Sequence, residues 1–324
     1  MEKQQDLTLL KARSYRSVLS AGFRLYTENF RRLFKASWQM VLLYAIVCGW
    51  LGTVTAIKIP EMSLAILQGL AIPQGLLAGT IQQYALILIG FWGLVLLAIV
   101  TFTLASATIL NKLKEHKETG LISVPPHWFT ASPKLMGRTL KGVFLTLFVL
   151  LLPLLLFGGL MAIVNFSSPH YVTNHVYTTI VAFLVCTVIV MLLSLPLFHV
   201  FMKYIMEAPC GYWHTLNHNY GKAASHWGSL FLVFFVSILL IQLASVVILM
   251  PSFILNLANQ TAQRGLLMGD PLGMPSYMTT LTFITVMLCS FIHFYVGQML
   301  FVHNYYAYGA IETREIEKTK IENP

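Results

Sequence analysis

Six of the ten histidines, His199, His214, His218, His226, His293 and His303, lie in or beside the last three apolar stretches of the chain. Imidazole titrates near neutrality and is the commonest metal ligand, so these are the first residues to test for chemistry. His214 and His218 are four residues apart, which on a helix sets them one turn apart and able to share a metal. The dense HxxxH and HxxHH clusters of membrane di-iron enzymes are missing, and no Asp or Glu falls inside an apolar stretch to complete a ligand set. The expectation is therefore no metal and no cofactor, with His214 and His218 the only pair carried forward, and no catalytic residue.

The lack of intramembrane carboxylates also excludes function classes. Ionisable groups inside a bilayer are expensive and are retained where a proton relay or a catalytic dyad needs them. Proton-coupled carriers and intramembrane proteases need an acid or a Ser–His or Asp–Asp set at depth, and none is apparent. Lys203 sits at the end of an apolar stretch, where its stem allows it to snorkel. The uncharged polar residues Gln39, Gln242, Asn256 and Gln298 read first as interhelical hydrogen bonds. Gln242, His293 and Gln298 are in addition the candidate lining of a mid-membrane cavity. Pro153, Pro196 and Pro251 should bend or interrupt their helices and free backbone carbonyls. Cys48, Cys186, Cys289 and Cys210 show no paired spacing and read as small apolar side chains.

The elements that must hold these residues follow from composition. The chain has 324 residues, of which 57% are hydrophobic and only 10% charged, against about 25% charged in soluble domains. A hydrocarbon core of about 30 Å needs about 20 apolar helical residues. Six stretches qualify, at about 37–57, 84–110, 138–164, 176–202, 228–257 and 278–303. They are too long and too uniformly apolar for barrel strands, so the predicted fold is all-α and polytopic, a single membrane domain over 1–324. The first stretch follows about 36 residues of charged sequence without a cleavage signal, which predicts a retained span.

Lysine and arginine fix the expected orientation. Nineteen of the 21 fall on one side of the six spans, leaving Lys58 and Arg264 on the other. The positive-inside rule then puts both termini in the cytoplasm of a multi-pass inner-membrane protein, with 309–324 a charged tail. Residues 7–36 pattern as a basic amphipathic helix. Tyr15, Val18, Leu19, Phe23, Tyr26, Phe30, Leu33 and Phe34 recur at helical spacing opposite a polar side that carries arginines. Such a helix suits the headgroup layer, with Arg13, Arg16, Arg24, Arg31, Arg32 and Lys35 as the residues expected to bind anionic lipid headgroups. The connection from 111 to 141 is expected to be a loop with Trp128 and Phe129 at the interface. A second short interfacial helix should follow Pro209, Cys210 and Gly211, with Trp213, Tyr220 and Trp227 on one stripe. A basic residue, a short amphipathic turn and then a span recur three times, the pattern of a three-fold hairpin repeat.

The "NFRRLF" entry to the first span, the six spans and the short charged tail after Tyr308 resemble a loose group of bacterial integral membrane proteins. These are related to the membrane domain attached to some glycerophosphodiester phosphodiesterases. The resemblance implies a six-helix membrane fold and carries no functional residue; the phosphodiesterase barrel is absent. The expected function is a non-catalytic membrane protein, interacting with lipid or a partner in envelope homeostasis through a basic cytoplasmic rim. The alternatives are a solute or lipid carrier with a cavity among proline-kinked helices, and a histidine-dependent metalloenzyme. Membrane lipids are the expected partners, not nucleic acid, and a homo-oligomer or another protein partner stays open.

Overall fold

A computed structural model describes residues 8–60, 62, 77–123, 132–167, 176–207, 210–267 and 275–322. Trp128 and Phe129, and most of the two connections on the side of Lys58 and Arg264, lie outside them. Among the described residues the chain is helical throughout, without strands, in seven α-helices: α1 Tyr15–Thr53, α2 Leu77–Thr119, α3 Pro133–Ser167, α4 Val176–Met206, α5 Tyr212–Ser225, α6 Trp227–Leu267 and α7 Met278–Glu322. All but α5 are long and apolar enough to cross a membrane. The protein is thus an integral, multi-pass membrane protein.

Each expected span lies within one helix, but several helices run well beyond it. Residues 15–36 continue directly into the first span as part of α1, followed by a π-helical turn, Val54–Lys58. The amphipathic segment is therefore continuous with the span as one helix, because nothing between Tyr15 and Thr53 breaks the hydrogen-bond ladder. α6 continues to Leu267, and α7 carries the charged segment on to Glu322 as helix. Pro153, Pro196 and Pro251 all sit inside continuous helices.

The contacts divide the chain into two compact units. Met1–Arg32, Leu110–Ile238 and Leu300–Pro324 form one, which contains α3, α4 and α5 entire. Leu33–Ile109 and Leu239–Met299 form the other. In the first unit α4 packs against both α3 and α5. Its core includes Val18, Leu25, Ile205, Tyr305, Tyr306 and Tyr308. In the second unit α1 lies close against α7, where a Cβ at Gly52 would meet the Val286 side chain at 2.6 Å. That is the small-residue contact by which apolar helices associate when lipid supplies no hydrophobic drive between them.

Candidate functional site

In the first unit a cluster of charged side chains lies where α4 and α7 face each other. His199 and Lys203 are four apart on one face of α4, and Glu207 follows at the same spacing just past its end, its N–H bonded to the Lys203 carbonyl. On α7, Tyr305, Tyr308, Glu312 and Glu315 recur at three and four residues. Lys203 Nζ bonds both carboxylate oxygens of Glu312 at 2.8 Å and lies 3.8 Å from Glu207 Oε2. His199 Nε2 is 3.4 Å from the same Glu312 carboxylate. The Tyr308 hydroxyl donates to Glu207 Oε1 and accepts from Lys117 Nζ at 3.0 Å. His116 Nδ1 and the Tyr305 hydroxyl are 2.9 Å apart. Two lysines thus face two glutamates, a self-compensating network that binds α2, α4 and α7 together. It contains no nucleophile held against a base.

Helix α5 is held against α4 by the consequences of a proline. Pro196 lacks an N–H, so the Leu192 carbonyl four residues before it loses its helical donor. Trp227 Nε1 donates to that carbonyl at 3.1 Å, and the Tyr220 hydroxyl donates to the next one, Leu193, at 2.9 Å. Burial at this contact raises the Tyr220 phenol above its ordinary pKa. The other end of α4 is capped from α3. Arg138 donates to the carbonyls of Tyr204, Glu207 and Cys210 at 2.7, 2.8 and 3.0 Å and stacks 4.2 Å from the Tyr204 ring centroid. Tyr212, the first residue of α5, bonds Thr146 of α3 at 2.8 Å.

Two cavities border α5 on opposite faces. One is a groove of about 770 Å³ walled by α3, α4 and α5, almost wholly apolar, with Ser194, Asn217 and Tyr220 supplying its polar atoms. The other, of about 230 Å³, is lined by Lys203, Glu207, Cys210, His214, Thr215, His218, Asn219 and Lys222. Asn219 is buried there, donating to the Thr215 carbonyl at 2.9 Å, and its Oδ1 has no protein partner. His214 and His218 stack with centroids 6.2 Å apart, and His218 Nε2 lies 3.3 Å from Lys222 Nζ. No group of three His, Cys, Asp or Glu side chains among the described residues is placed to hold a metal.

The six predicted headgroup residues divide sharply. Arg13 is 4% exposed; it donates to the carbonyls of Thr8 and Leu9 and lies 5.1 Å from the Tyr306 ring centroid. Arg314 donates to the Arg13 carbonyl at 2.7 Å, so Arg13 fastens the N-terminal segment to α7. Arg32 bonds the Ile122 carbonyl at 2.9 Å, and Arg24 pairs with Glu28 at 2.9 Å. Arg16 and Arg31 are exposed on α1, and Lys35 is exposed further along it. The aromatics of the same helix also divide. Tyr26 is buried with Val18, Leu25 and Leu33, whereas Phe23 and Phe30 are 52% and 40% exposed on the side of Arg16 and Arg31.

The three candidate cavity residues lie in the second unit in different surroundings. Gln242 is exposed on α6, while His293 Nδ1 is 3.1 Å from Ser245 Oγ. Gln298 is buried, with Nε2 donating to Ser106 Oγ at 3.1 Å. Two polar residues beyond the expected end of the fifth span, at about 257, are buried on α6. Asn259 donates to Thr282 Oγ1 at 3.0 Å, and Gln263 donates to the carbonyl of Ile57, inside the π-helical turn, at 3.0 Å. Their i, i+4 spacing was the available signal.

No family model, curated protein or solved structure matches the chain.

Proposed function

We propose that this protein is a non-catalytic, multi-pass protein of the inner membrane that engages anionic lipid headgroups at a basic cytoplasmic rim, in support of envelope homeostasis. The supporting observation is the exposed stripe of α1, on which Arg16, Phe23, Thr27, Phe30 and Arg31 follow one another at helical spacing. Arginine interleaved with exposed phenylalanine suits the boundary between headgroups and acyl chains, where one needs phosphate and the other hydrocarbon. Arg13, Arg24 and Arg32 have internal partners and act mainly in holding the fold. The headgroup set therefore narrows to Arg16, Arg31 and Lys35.

The test uses full-length protein in nanodiscs of mixed phosphatidylglycerol and phosphatidylcholine, with bound lipid counted by native mass spectrometry. Each basic residue near an anionic surface contributes about 1 kcal/mol. Replacing Arg16, Arg31 and Lys35 by Gln should therefore weaken preferential retention of phosphatidylglycerol by up to about 100-fold. Unchanged preference would overturn the proposal.

A further inference from the structure

We propose that the second unit binds a sodium ion where the π-helical turn of α1 meets Asn259 and Gln263 of α6 and Thr282 of α7. The inference stands apart from the lipid reading above, since it uses other residues and another ligand. Asn259 and Gln263 are one turn apart on one face of α6, where their side chains are neighbours. They are 0% and 2% exposed. Each amide spends its nitrogen across a helix interface, Asn259 on Thr282 Oγ1 and Gln263 on the Ile57 carbonyl, both at 3.0 Å. That leaves Asn259 Oδ1 and Gln263 Oε1 sealed from solvent without a protein partner. The orientation of Gln263 follows from its partner. A carbonyl can only accept, so Nε2 must face Ile57 and Oε1 is the orphan. Buried acceptors of this kind are expensive to leave unmet, and here two lie side by side.

The neighbouring groups of α1 add acceptors. In the π-turn the Ile59 N–H reaches back five residues to the Val54 carbonyl, and Pro60 has no N–H to offer the carbonyls before it. Thr53, buried one turn before Ile57, gives its hydroxyl proton to the Gly49 carbonyl at 2.9 Å and keeps its lone pairs. Lys58 and Arg264, the basic side chains of these two segments, are exposed. A water bridging the two amide oxygens would use both its protons and leave its own lone pairs among acceptors. A cation is matched by oxygen on every side, as where irregular helix carbonyls coordinate Na⁺ in membrane proteins. The oxygens are all neutral, which suits a single positive charge; divalent ions draw on carboxylates. Neither amide oxygen is accessible to water, and a bare Na⁺ is smaller than a water molecule or K⁺.

The experiment follows thermal unfolding of the full-length protein in one detergent with NaCl, KCl or choline chloride at equal ionic strength. Sodium should raise the midpoint saturably above choline, as for any ligand that binds only the folded state, and potassium should do less. Asn259→Asp keeps the shape and adds a carboxylate. It should lower the half-saturating Na⁺ concentration at least about tenfold and add a response to CaCl₂. Asn259→Ala removes the ligand oxygen and should abolish the sodium-specific rise. Broadening of the ²³Na resonance by the parent, lost in Asn259→Ala, reads the same site in folded protein, whatever the variant's stability. Equal midpoints in the three salts, or a sodium effect that both variants leave unchanged, would overturn the site. The Arg16, Arg31 and Lys35 variant should keep the sodium response in full, which separates this site from the lipid proposal.

Discussion

Replacing Lys203 by Met should destabilise the protein more than replacing its main partner, Glu312, by Gln. Lys203 faces two carboxylates, bonding Glu312 twice at 2.8 Å and approaching Glu207 at 3.8 Å. Glu312 faces one lysine and His199, which is charged only when protonated. Both side chains are largely withdrawn from solvent, at 15% and 18% exposed. Removing one member of a buried pair costs about 3–5 kcal/mol, because the remaining charge is stranded. Partial exposure lowers that to about 2–4 kcal/mol for Lys203→Met. Glu312→Gln leaves Lys203 with Glu207 and should cost about 1–2 kcal/mol. The double variant strands less charge than Lys203→Met alone, so it should regain stability, with a coupling of at least about 1 kcal/mol. Denaturant unfolding in one detergent, followed by tryptophan fluorescence, measures all four proteins of the cycle. Additive costs, or Glu312→Gln as damaging as Lys203→Met, would refute the reasoning.

Two other packing devices give equally direct tests. A Cβ at Gly309 would sit 2.5 Å from the Leu9 carbonyl, which is backbone and cannot rotate away. Gly309→Ala should therefore displace the N-terminal segment at a cost of about 1–3 kcal/mol and open the chain around Leu9 to limited proteolysis, which the parent resists. Trp227→Phe removes the donor to the Leu192 carbonyl and should cost about 1–3 kcal/mol in the same unfolding assay. Adding Pro196→Ala restores the missing helical N–H and should recover most of that loss; no recovery would mean that the indole acts by packing alone.

The six spans were legible because bilayer thickness imposes a length and hydrocarbon imposes a composition, and both can be counted along the chain. What escaped was whatever depends on distant partners. The segment after Tyr308 reads as a solvated charged tail, yet Glu312 meets Lys203 and Glu315 meets His226 at 3.0 Å. No local pattern encodes a pairing across about 100 residues. The apolar side chains of α1 that share one stripe in the sequence divide in the structure: Val18 and Tyr26 are buried, Phe23 and Phe30 exposed. Helical spacing alone groups Phe23 and Phe30 with Val18 and Tyr26 and does not say which of them meet another helix. Where the far side is the headgroup boundary, exposed phenylalanine costs nothing and the apolar residues divide between two environments. Gln242 shows the converse, a polar side chain left exposed while Asn259, Gln263 and Gln298 are buried.

Pro196 connects the readable part of the sequence to the packing of α5. In a membrane span a proline leaves a carbonyl without a donor, and lipid cannot supply one. Here the donors come from outside the helix, from Trp227 at the start of α6 and Tyr220 near the end of α5. Both are residues that also favour the membrane interface, with an apolar ring and one polar atom. Meeting the carbonyl's need therefore brings α5 onto α4 at Leu192 and Leu193, and α5 becomes the third wall of the groove that it shares with α3 and α4. The proline, the tryptophan and the tyrosine are each visible in the sequence; their pairing is not. The mechanism that satisfies the backbone is thus the same one that builds the groove.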